Sequence, residues 1–514
     1  MANDMSHQGA YERWLEHNSQ PQKSTELNTF ALLRAAYPNH HVSETTLDTC
    51  DLLGYADAGF ATAVPEDTPF NHFVRNFEAP ESRIDRDKGK VVDAVLYGCW
   101  RYRWRGIDFL VYKSTYITRW GLTTLFFVLH PDTPDKRHNA ATDALLHECG
   151  KWSKELHNEV YVFDNVQWKK SKSLWQSIDG SSWDDVILAA GMKERLIHDV
   201  QHFFDTRHIY RASNVPWKRG VILHGLPGNG KTVSVKALIN SLAKRPDPIP
   251  SLYVKSLDAC QGPKYSIQLI FKHARAMAPC LLVFEDLDSL ITPKTRSYFL
   301  NEVDGLESND GILMIGSTNY LDRLDAAITK RPSRFDRKYH FKLPDEDARL
   351  SYALYWSRKF SKPSAIVHFP ETLCPVIAKI TKGFSFAYMK ELFIASLLAH
   401  ARGATEDDDF LDAPEAVADK TDKAGSTTSE EPVVVGEEDK AVQQPEKKGP
   451  VEVEVPEELK DNIFLRFIMG QAEILHREME STDKEDVPMA SCEVDADEGQ
   501  LPFPWMSITR QLAR

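Results

Sequence analysis

The 514-residue sequence has no apolar run near the roughly 20 residues that a membrane-spanning helix needs. Its most apolar stretch, residues 121–129, is nine residues long and contains two threonines. Residues 1–26 carry four acidic side chains and lack the apolar segment of a signal peptide. We therefore expect no membrane span, and a location in the cytoplasm or nucleus, with the mitochondrion left open.

The sequence also lacks any C-x-x-C pair. Its seven cysteines lie far apart, which argues against a cysteine metal site and against a disulfide framework. We expect a reducing compartment.

Almost all of the net negative charge lies in one stretch of the chain. The chain has a net charge of −13, and residues 403–457 hold 17 acidic and 5 basic side chains, a net charge of −12. The rest is nearly neutral, so overall charge argues neither for nor against nucleic-acid binding.

Changes in the hydrophobic pattern divide the chain. Period-two alternation, as at Trp100, Tyr102 and Trp104, predicts strands in a mixed α/β domain. Later, five apolar runs separated by helical segments indicate an α/β core with a doubly wound parallel five-stranded sheet. We predict a disordered tail (1–26), a mixed α/β domain (27–182), the α/β core (183–344), a helical lid (345–402 and 458–482), an acidic disordered insertion (403–457) and a flexible tail (483–514).

A glycine-rich motif, GLPGNGKT at residues 225–232, follows an apolar run and precedes a helical segment. Glycines let backbone N–H groups surround phosphates, while Lys231 reaches the β- and γ-phosphates and the Thr232 hydroxyl binds Mg²⁺. A chance match to the four fixed positions arises in about 1 in 100 chains of this length. The predicted cofactors are ATP and Mg²⁺, and the predicted binding residues are Gly225, Leu226, Pro227, Gly228, Asn229, Gly230, Lys231, Thr232 and Val233.

Two adjacent carboxylates, Glu285 and Asp286, end the apolar run CLLVF. Carboxylates at such a position lose hydration energy unless they face a cation or an activated water. The alternative is an acidic pair at a helix start.

Three further polar residues follow the next apolar run. Asn319 could hold the attacking water or sense the γ-phosphate, although alone it is more typical of a turn. Arg331 and Arg334 present planar forks of donors suited to transition-state charge on phosphate. Without context, surface ion pairs explain these arginines better.

In this order the motifs resemble those of the AAA ATPases, over about residues 183–402. The second region of homology is carried by NEVDGL (301–306), GSTN (316–319) and LDAAITKRPSRFDR (324–337). The resemblance implies that Asn319 is a sensor and that Arg331 and Arg334 act on ATP held by a neighbouring subunit. It thus implies a homo-oligomeric ring, a hexamer or heptamer.

The order Glu-Asp reverses the order usual in the family. The resemblance then implies that Glu285, together with Thr232, binds the Mg²⁺ and that Asp286 is the general base. The reversed pair and VPWKRGVILHGLPGNGKT look most like the subfamily of the respiratory complex III assembly factor. In the lid, GFSFAYMKEL (383–392) resembles a family motif that implies nucleotide contact by Ala387, with Lys390 as a possible assistant.

These features predict an ATP hydrolase that remodels or chaperones an unidentified protein client bound by the N-terminal domain. The hypothesis that a client is threaded through a central pore is weakened, because DACQGPKY (258–265) has no aromatic residue directly before its glycine. A slow nucleotide-dependent scaffold or switch is the alternative. Action on nucleic acid, suggested by WRYRWRG (100–106), is less favoured, because strand alternation explains that segment more simply.

Overall fold

The computed structural model describes residues 2–19, 24–66, 71–80, 89–118, 121–131, 137–189, 191–257, 262–304, 307–331, 333–360, 367–402 and 455–485. The chain forms two compact units, residues 1–159 and 160–514. The division falls earlier than residue 182, where the hydrophobic pattern placed it. The reason is that residues 160–171 form a hairpin in the sheet of the second unit.

The first unit combines helices with an antiparallel sheet. Its elements are α1 (Ala2–Asn18), α2 (Thr25–Ala36), β1 (His40–Thr46), α3 (Leu52–Asp57), β2 (Thr62–Pro65), β3 (His72–Glu78), β4 (Lys90–Trp104), β5 (Ile107–Thr118), β6 (Gly121–Pro131) and α4 (Ala140–Lys154). The strand order is β1-β6-β5-β4-β2, and β3 also pairs with β4. The predicted mixed α/β character of this region is confirmed.

Helix α1 occupies most of the segment for which we expected a disordered tail. Ala10 and Trp14 are buried in the aromatic cluster of the first unit. The Trp14 Nε1 donates to Ser114 Oγ at 3.1 Å, and its ring lies 4.8 Å from that of Tyr97. The tail expectation was wrong because a few well-spaced anchors suffice to hold a helix whose overall composition is polar.

Residues 100–104 belong to β4 and alternate between buried and exposed, and residues 105–106 form the turn that follows. Tyr102 and Trp104 are buried, whereas the exposed Arg101 and Arg103 form ion pairs with carboxylates of their own unit. The aromatic rings are therefore used in the core and do not form a surface on which bases could stack.

The second unit is an α/β sheet followed by a helical lid. Its elements are β7 (Val160–Asp164), β8 (Gln167–Ser171), α5 (Lys172–Asp179), α6 (Met192–Asp205), α7 (Arg207–Ala212), β9 (Arg219–His224), α8 (Lys231–Ala243), β10 (Ser251–Val254), α9 (Pro263–Met277), β11 (Cys280–Phe284), α10 (Leu287–Leu290), α11 (Pro293–Asp304), β12 (Ile312–Thr318), α12 (Ala326–Thr329), β13 (Arg337–His340), α13 (Glu346–Phe360), α14 (Cys374–Ile380), α15 (Phe386–Ala401) and α16 (Ile463–Glu485).

The sheet of the second unit has the order β13-β9-β12-β11-β10-β7-β8. The five predicted strands are β9 to β13, and all their pairings are parallel. The parallel α/β core is thus confirmed, but the sheet is larger than predicted. Strand β7 adds a sixth parallel strand and β8 pairs antiparallel with it.

Strand β11 is buried throughout, as expected for a parallel strand covered on both faces. Leu281 and Val283 belong to the apolar cluster that also contains Val235 and Leu238 of α8. On the opposite face, the ring of Phe284 lies 5.4 Å from that of Phe299. Side chains alternate between the two faces of the sheet, so a residue that continues this alternation two positions beyond Val283 points towards α8.

The lid helices α13 to α16 surround one apolar cluster, so α16 packs with the helices that precede the acidic insertion. Most of that insertion (403–454) and of the C-terminal tail (486–514) lies outside the described residues, as do residues 258–261 of the pore-loop segment. Within the described part of the chain, no helix is both long and apolar enough to cross a membrane.

Candidate functional site

A cavity of about 390 Å³ lies at the carboxyl ends of the central parallel strands. Ligands bind at this edge in open α/β sheets. Of the residues predicted from sequence, those that line it are Pro227, Gly228, Gly230, Lys231, Thr232, Val233, Glu285, Asp286, Asn319 and Ala387, and Lys390 joins them. Residues separated by more than 150 positions are thereby brought to one place.

The glycine-rich loop needs its glycines for both conformation and space. Gly225 and Gly228 have positive φ angles of 139° and 76°. A Cβ on Gly225 would lie 2.2 Å from the Phe341 carbonyl oxygen, and one on Gly228 would lie 2.6 Å from the Ala387 Cβ. The loop therefore passes against its neighbours with backbone alone, as a phosphate cradle requires.

Lys231 begins α8 and is buried beneath the loop. Its ammonium group donates to the carbonyl oxygens of Gly225 at 2.6 Å and of Leu226 at 3.0 Å. Burial lowers the pKa of Lys231, and the charges of Asp286 and Asp288 partly offset that effect. A cation held among carbonyls in this way can transfer its hydrogen bonds to phosphate oxygens.

Asn229, the middle residue of the loop, is 1% exposed. Its side-chain amide donates to the Leu226 carbonyl at 3.4 Å, but its Oδ1 has no hydrogen-bond partner. Asn229, like Gly225 and Leu226, does not line the cavity, and an amide oxygen is an acceptor that could not bond to a phosphate oxygen.

The adjacent carboxylates have different environments. Glu285 lies two residues after Val283, on the α8 side of the sheet. One of its oxygens accepts from the Tyr253 hydroxyl at 2.9 Å, and the other is buried without a partner. Asp286 is exposed, and its backbone has a left-handed conformation (φ 49°). Its backbone N–H donates to Ser317 Oγ at 3.3 Å. The turn thus presents two carboxylates to one cavity in different directions.

The donor set fits Mg²⁺ held jointly with a nucleotide. No cluster of three His, Cys, Asp or Glu that could hold a metal ion occurs among the described residues. Magnesium in phosphate sites usually takes only one or two protein ligands, and water and phosphate oxygens provide the rest. Thr232 and Glu285 both line the cavity, and their side-chain oxygens meet that requirement.

Neither predicted arginine lines the cavity. Arg331 is exposed, whereas Arg334 is only 7% exposed and is engaged inside its own chain. Arg334 donates to Asp304 at 2.6 Å and to the Ala327 carbonyl at 2.5 Å. Burial would raise the pKa of Asp304, but hydrogen bonds from Arg334 and Lys218 outweigh it and hold that pKa below its usual range.

The lid closes one side of the cavity. The Ala387 N–H donates to the Gly228 carbonyl at 3.0 Å, which joins the start of α15 to the glycine-rich loop. The rings of Tyr352 and Phe386 meet edge to face at 5.0 Å and form an apolar wall. Such a wall suits a flat heterocyclic base.

Six lining residues were not singled out from the sequence. They are Asp185, Val186, Ile187, Ser317, Tyr352 and Phe386. A capping box between Ser182 and Asp185 shapes the segment before α6, and the Tyr355 hydroxyl of the lid donates to Asp185 at 2.9 Å. The S-x-x-D pattern of that box is visible in the sequence and could have drawn attention to this segment.

Part of the second unit matches a known protein family. Residues 221–343 match the family described as "ATPase family associated with various cellular activities (AAA)". The chain is 31% identical over 199 residues to "ATPase histone chaperone abo1" of Schizosaccharomyces pombe, covering 36% of this chain and 16% of the relative. It is 28% identical over 197 residues to "Cell division cycle protein 48 homolog" of Archaeoglobus fulgidus, covering 36% and 27%.

A third relative, "ATPase family gene 2 protein" of Saccharomyces cerevisiae, is 30% identical over 220 residues, covering 40% of this chain and 27% of the relative. The chain thus spans only about a sixth to a quarter of the length of these relatives. The matched residues include the glycine-rich loop, Glu285, Asp286 and Asn319, so this part of the second unit is similar to an AAA ATPase domain.

Proposed function

We propose that this chain binds Mg·ATP in the cavity and hydrolyses it to drive the remodelling or chaperoning of a protein client. One observation carries the proposal: the glycine-rich loop, the buried Lys231 and the carboxylates Glu285 and Asp286 converge on a single cavity that the lid closes. Each is a group that phosphoryl transfer needs, and independent chance features would not gather at one sheet edge.

The environments of the side chains support a division of roles. Lys231 and the loop N–H groups hold the phosphates, while Thr232 and Glu285 hold Mg²⁺, which neutralises developing phosphate charge when bound. Asp286, exposed at the turn, orients and deprotonates the attacking water. Asn319 lines the same cavity and holds that water from the β12 side.

Among the described residues that line the cavity, Lys231 and Lys390 are the only cationic side chains, and no arginine is among them. We infer that a neighbouring copy provides an arginine, as the resemblance to ring-forming AAA proteins implies. Arg331 suits this role better than Arg334, because it is exposed and Arg334 would have to leave Asp304 and the Ala327 carbonyl. The reversed Glu-Asp order further supports placement near the complex III assembly factor group.

A protein client is supported by the relatives, since one matched protein is named a histone chaperone. A slow scaffold or switch is the second candidate. Asp286 favours it, because its carboxylate is one methylene shorter than the glutamate usual for a base and is open to solvent.

Steady-state ATP hydrolysis by the purified full chain tests the proposal. Asp286→Asn should lower kcat by on the order of 10²-fold or more while retaining ATP, because an amide cannot accept the proton from water. Asp322→Asn, another exposed carboxylate beyond the same sheet edge, is the control. Slow turnover that Asp286→Asn leaves unchanged would favour the switch, and a retained-ATP phenotype in Glu285→Gln alone would exchange the two roles.

A further inference from the structure

We propose that Tyr253 is a positioning residue for Glu285: its hydroxyl fixes one carboxylate oxygen so that the other faces the bound cation. This role rests on the proposed function, because it assigns a residue to the Mg²⁺ side of the same site.

The strand register makes the contact a property of the sheet. Strands β10 and β11 are parallel, and Tyr253 is paired with Val283. Glu285 is two residues beyond Val283, so its side chain leaves the sheet on the same face. A tyrosine ring is long enough to reach diagonally across to that position. The ring packs against the apolar cluster that contains Leu281 and Val283, which leaves the hydroxyl directed along the strands towards Glu285.

The two oxygens of Glu285 are unequal. Oε2 accepts from the Tyr253 hydroxyl at 2.9 Å, whereas Oε1 is buried and has no partner. A buried carboxylate oxygen without a donor costs free energy unless a ligand completes it. Glu285 lines the cavity with Thr232, and Oε1 is its one oxygen without a hydrogen bond, so we assign Oε1 to a cation or its bound water.

The reversed carboxylate order explains why such a constraint is useful. Glutamate has one more rotatable bond than the aspartate usual at this position, and each additional rotamer adds entropy that must be lost on metal binding. The Tyr253 hydroxyl restricts that freedom in advance. Groups that orient metal ligands typically change metal affinity or activity by 10- to 100-fold when removed.

The test is Tyr253→Phe in the full chain, which removes only the hydroxyl. Binding of a non-hydrolysable ATP analogue is measured by fluorescence over a Mg²⁺ titration. We expect the half-saturating Mg²⁺ concentration to rise about tenfold. Binding of the analogue in EDTA should stay unchanged, and the effect of Tyr253→Phe should disappear in a Glu285→Gln background.

Tyr339→Phe is the matched control. The Tyr339 hydroxyl donates to a carboxylate of Asp199 at 2.8 Å, and neither residue lines the cavity. This variant loses a similar hydrogen bond and should leave the Mg²⁺ requirement unchanged. An equal shift in both variants would show a general effect of stability and overturn the role.

The outcomes separate the two proposals. If Glu285→Gln raises the Mg²⁺ requirement and Tyr253→Phe does not, the positioning role is wrong and the proposed function stands. If analogue binding to the wild-type chain does not depend on Mg²⁺, the proposed metal role of Glu285 fails, and the role of Tyr253 fails with it.

Discussion

The two units of this chain differ in the direction of their strands, and that difference decides where polar residues gather. In the second unit, β9 to β13 run parallel, so the residues after β9, β11 and β12 meet at one edge. In the first unit, neighbouring strands are antiparallel, so successive strand ends fall at opposite edges. A parallel sheet therefore concentrates ligand-binding groups, whereas an antiparallel sheet disperses them.

Titratable groups are used differently as well. In the first unit, the Tyr37 and Tyr112 hydroxyls bond to each other at 2.5 Å inside the core, and burial raises the pKa of Cys99 to about 12. In the second unit, Lys231, Glu285 and Asp286 face a cavity. Burial keeps the first group neutral and structural, while the second group stays available for a ligand.

The largest expected effect is on ATP turnover, and it concerns the two arginines of the second unit. Arg331→Ala should reduce turnover by about 10³-fold with nucleotide affinity retained, because a trans arginine acts on the transition state. Arg334→Ala should instead reduce the free energy of unfolding by about 2 kcal/mol, since it removes charge-assisted hydrogen bonds to Asp304 and the Ala327 carbonyl while Asp304 keeps Lys218. ATPase assays and denaturant unfolding measure the two effects.

A mixing experiment checks the trans assignment. Subunits carrying Arg331→Ala, combined with subunits carrying Asp286→Asn, should recover part of the activity at shared boundaries. Light scattering must first show that subunits exchange. Fully mixed rings without recovery, or full activity in a dilute monomer, would contradict the assignment.

The second prediction tests whether the first unit contributes to the site in the second. Phe127 is fully buried in its aromatic cluster, and Phe127→Ala should lower the free energy of unfolding of that unit by roughly 3–5 kcal/mol. We expect ATP affinity to be unchanged, because the described residues that line the cavity all belong to the second unit. Phe60→Ala, at a 56% exposed position of the same unit, is the control. Calorimetry with and without ATP measures both quantities, and a large loss of ATP affinity would show that the first unit supports the site.

The smallest expected effect distinguishes backbone strain at a glycine from the contact between the glycine-rich loop and the lid. Gly228 and Gly383 both have positive φ, but a Cβ on Gly383 meets no atom within 4 Å, whereas one on Gly228 meets Ala387. Both Ala variants should lose about 1 kcal/mol of stability from the backbone conformation. Only Gly228→Ala should also weaken ATP binding, by a few-fold to tenfold in a fluorescence titration. Equal ATP affinity in the two variants would argue against the contact between lid and loop.

The sequence was informative where short-range chemistry has a fixed pattern. The glycine-rich loop was predictable because the phosphate cradle and the following helix are contiguous, and the five parallel strands were predictable because strands covered on both faces are apolar throughout. Helix α1 and the β7–β8 hairpin were missed, because a few anchoring side chains such as Trp14 decide their placement and leave no periodic signal.

By itself, then, the sequence determined the phosphate loop, the parallel core and the candidate carboxylates, since each depends on residues close together in the chain. Only the tertiary structure decided which of those residues meet. It placed Tyr253 against Glu285, Ala387 against Gly228 and Arg334 against Asp304, pairs separated by about 30 to 160 residues. Such pairings depend on strand register and helix packing, which fix distances that no local pattern encodes.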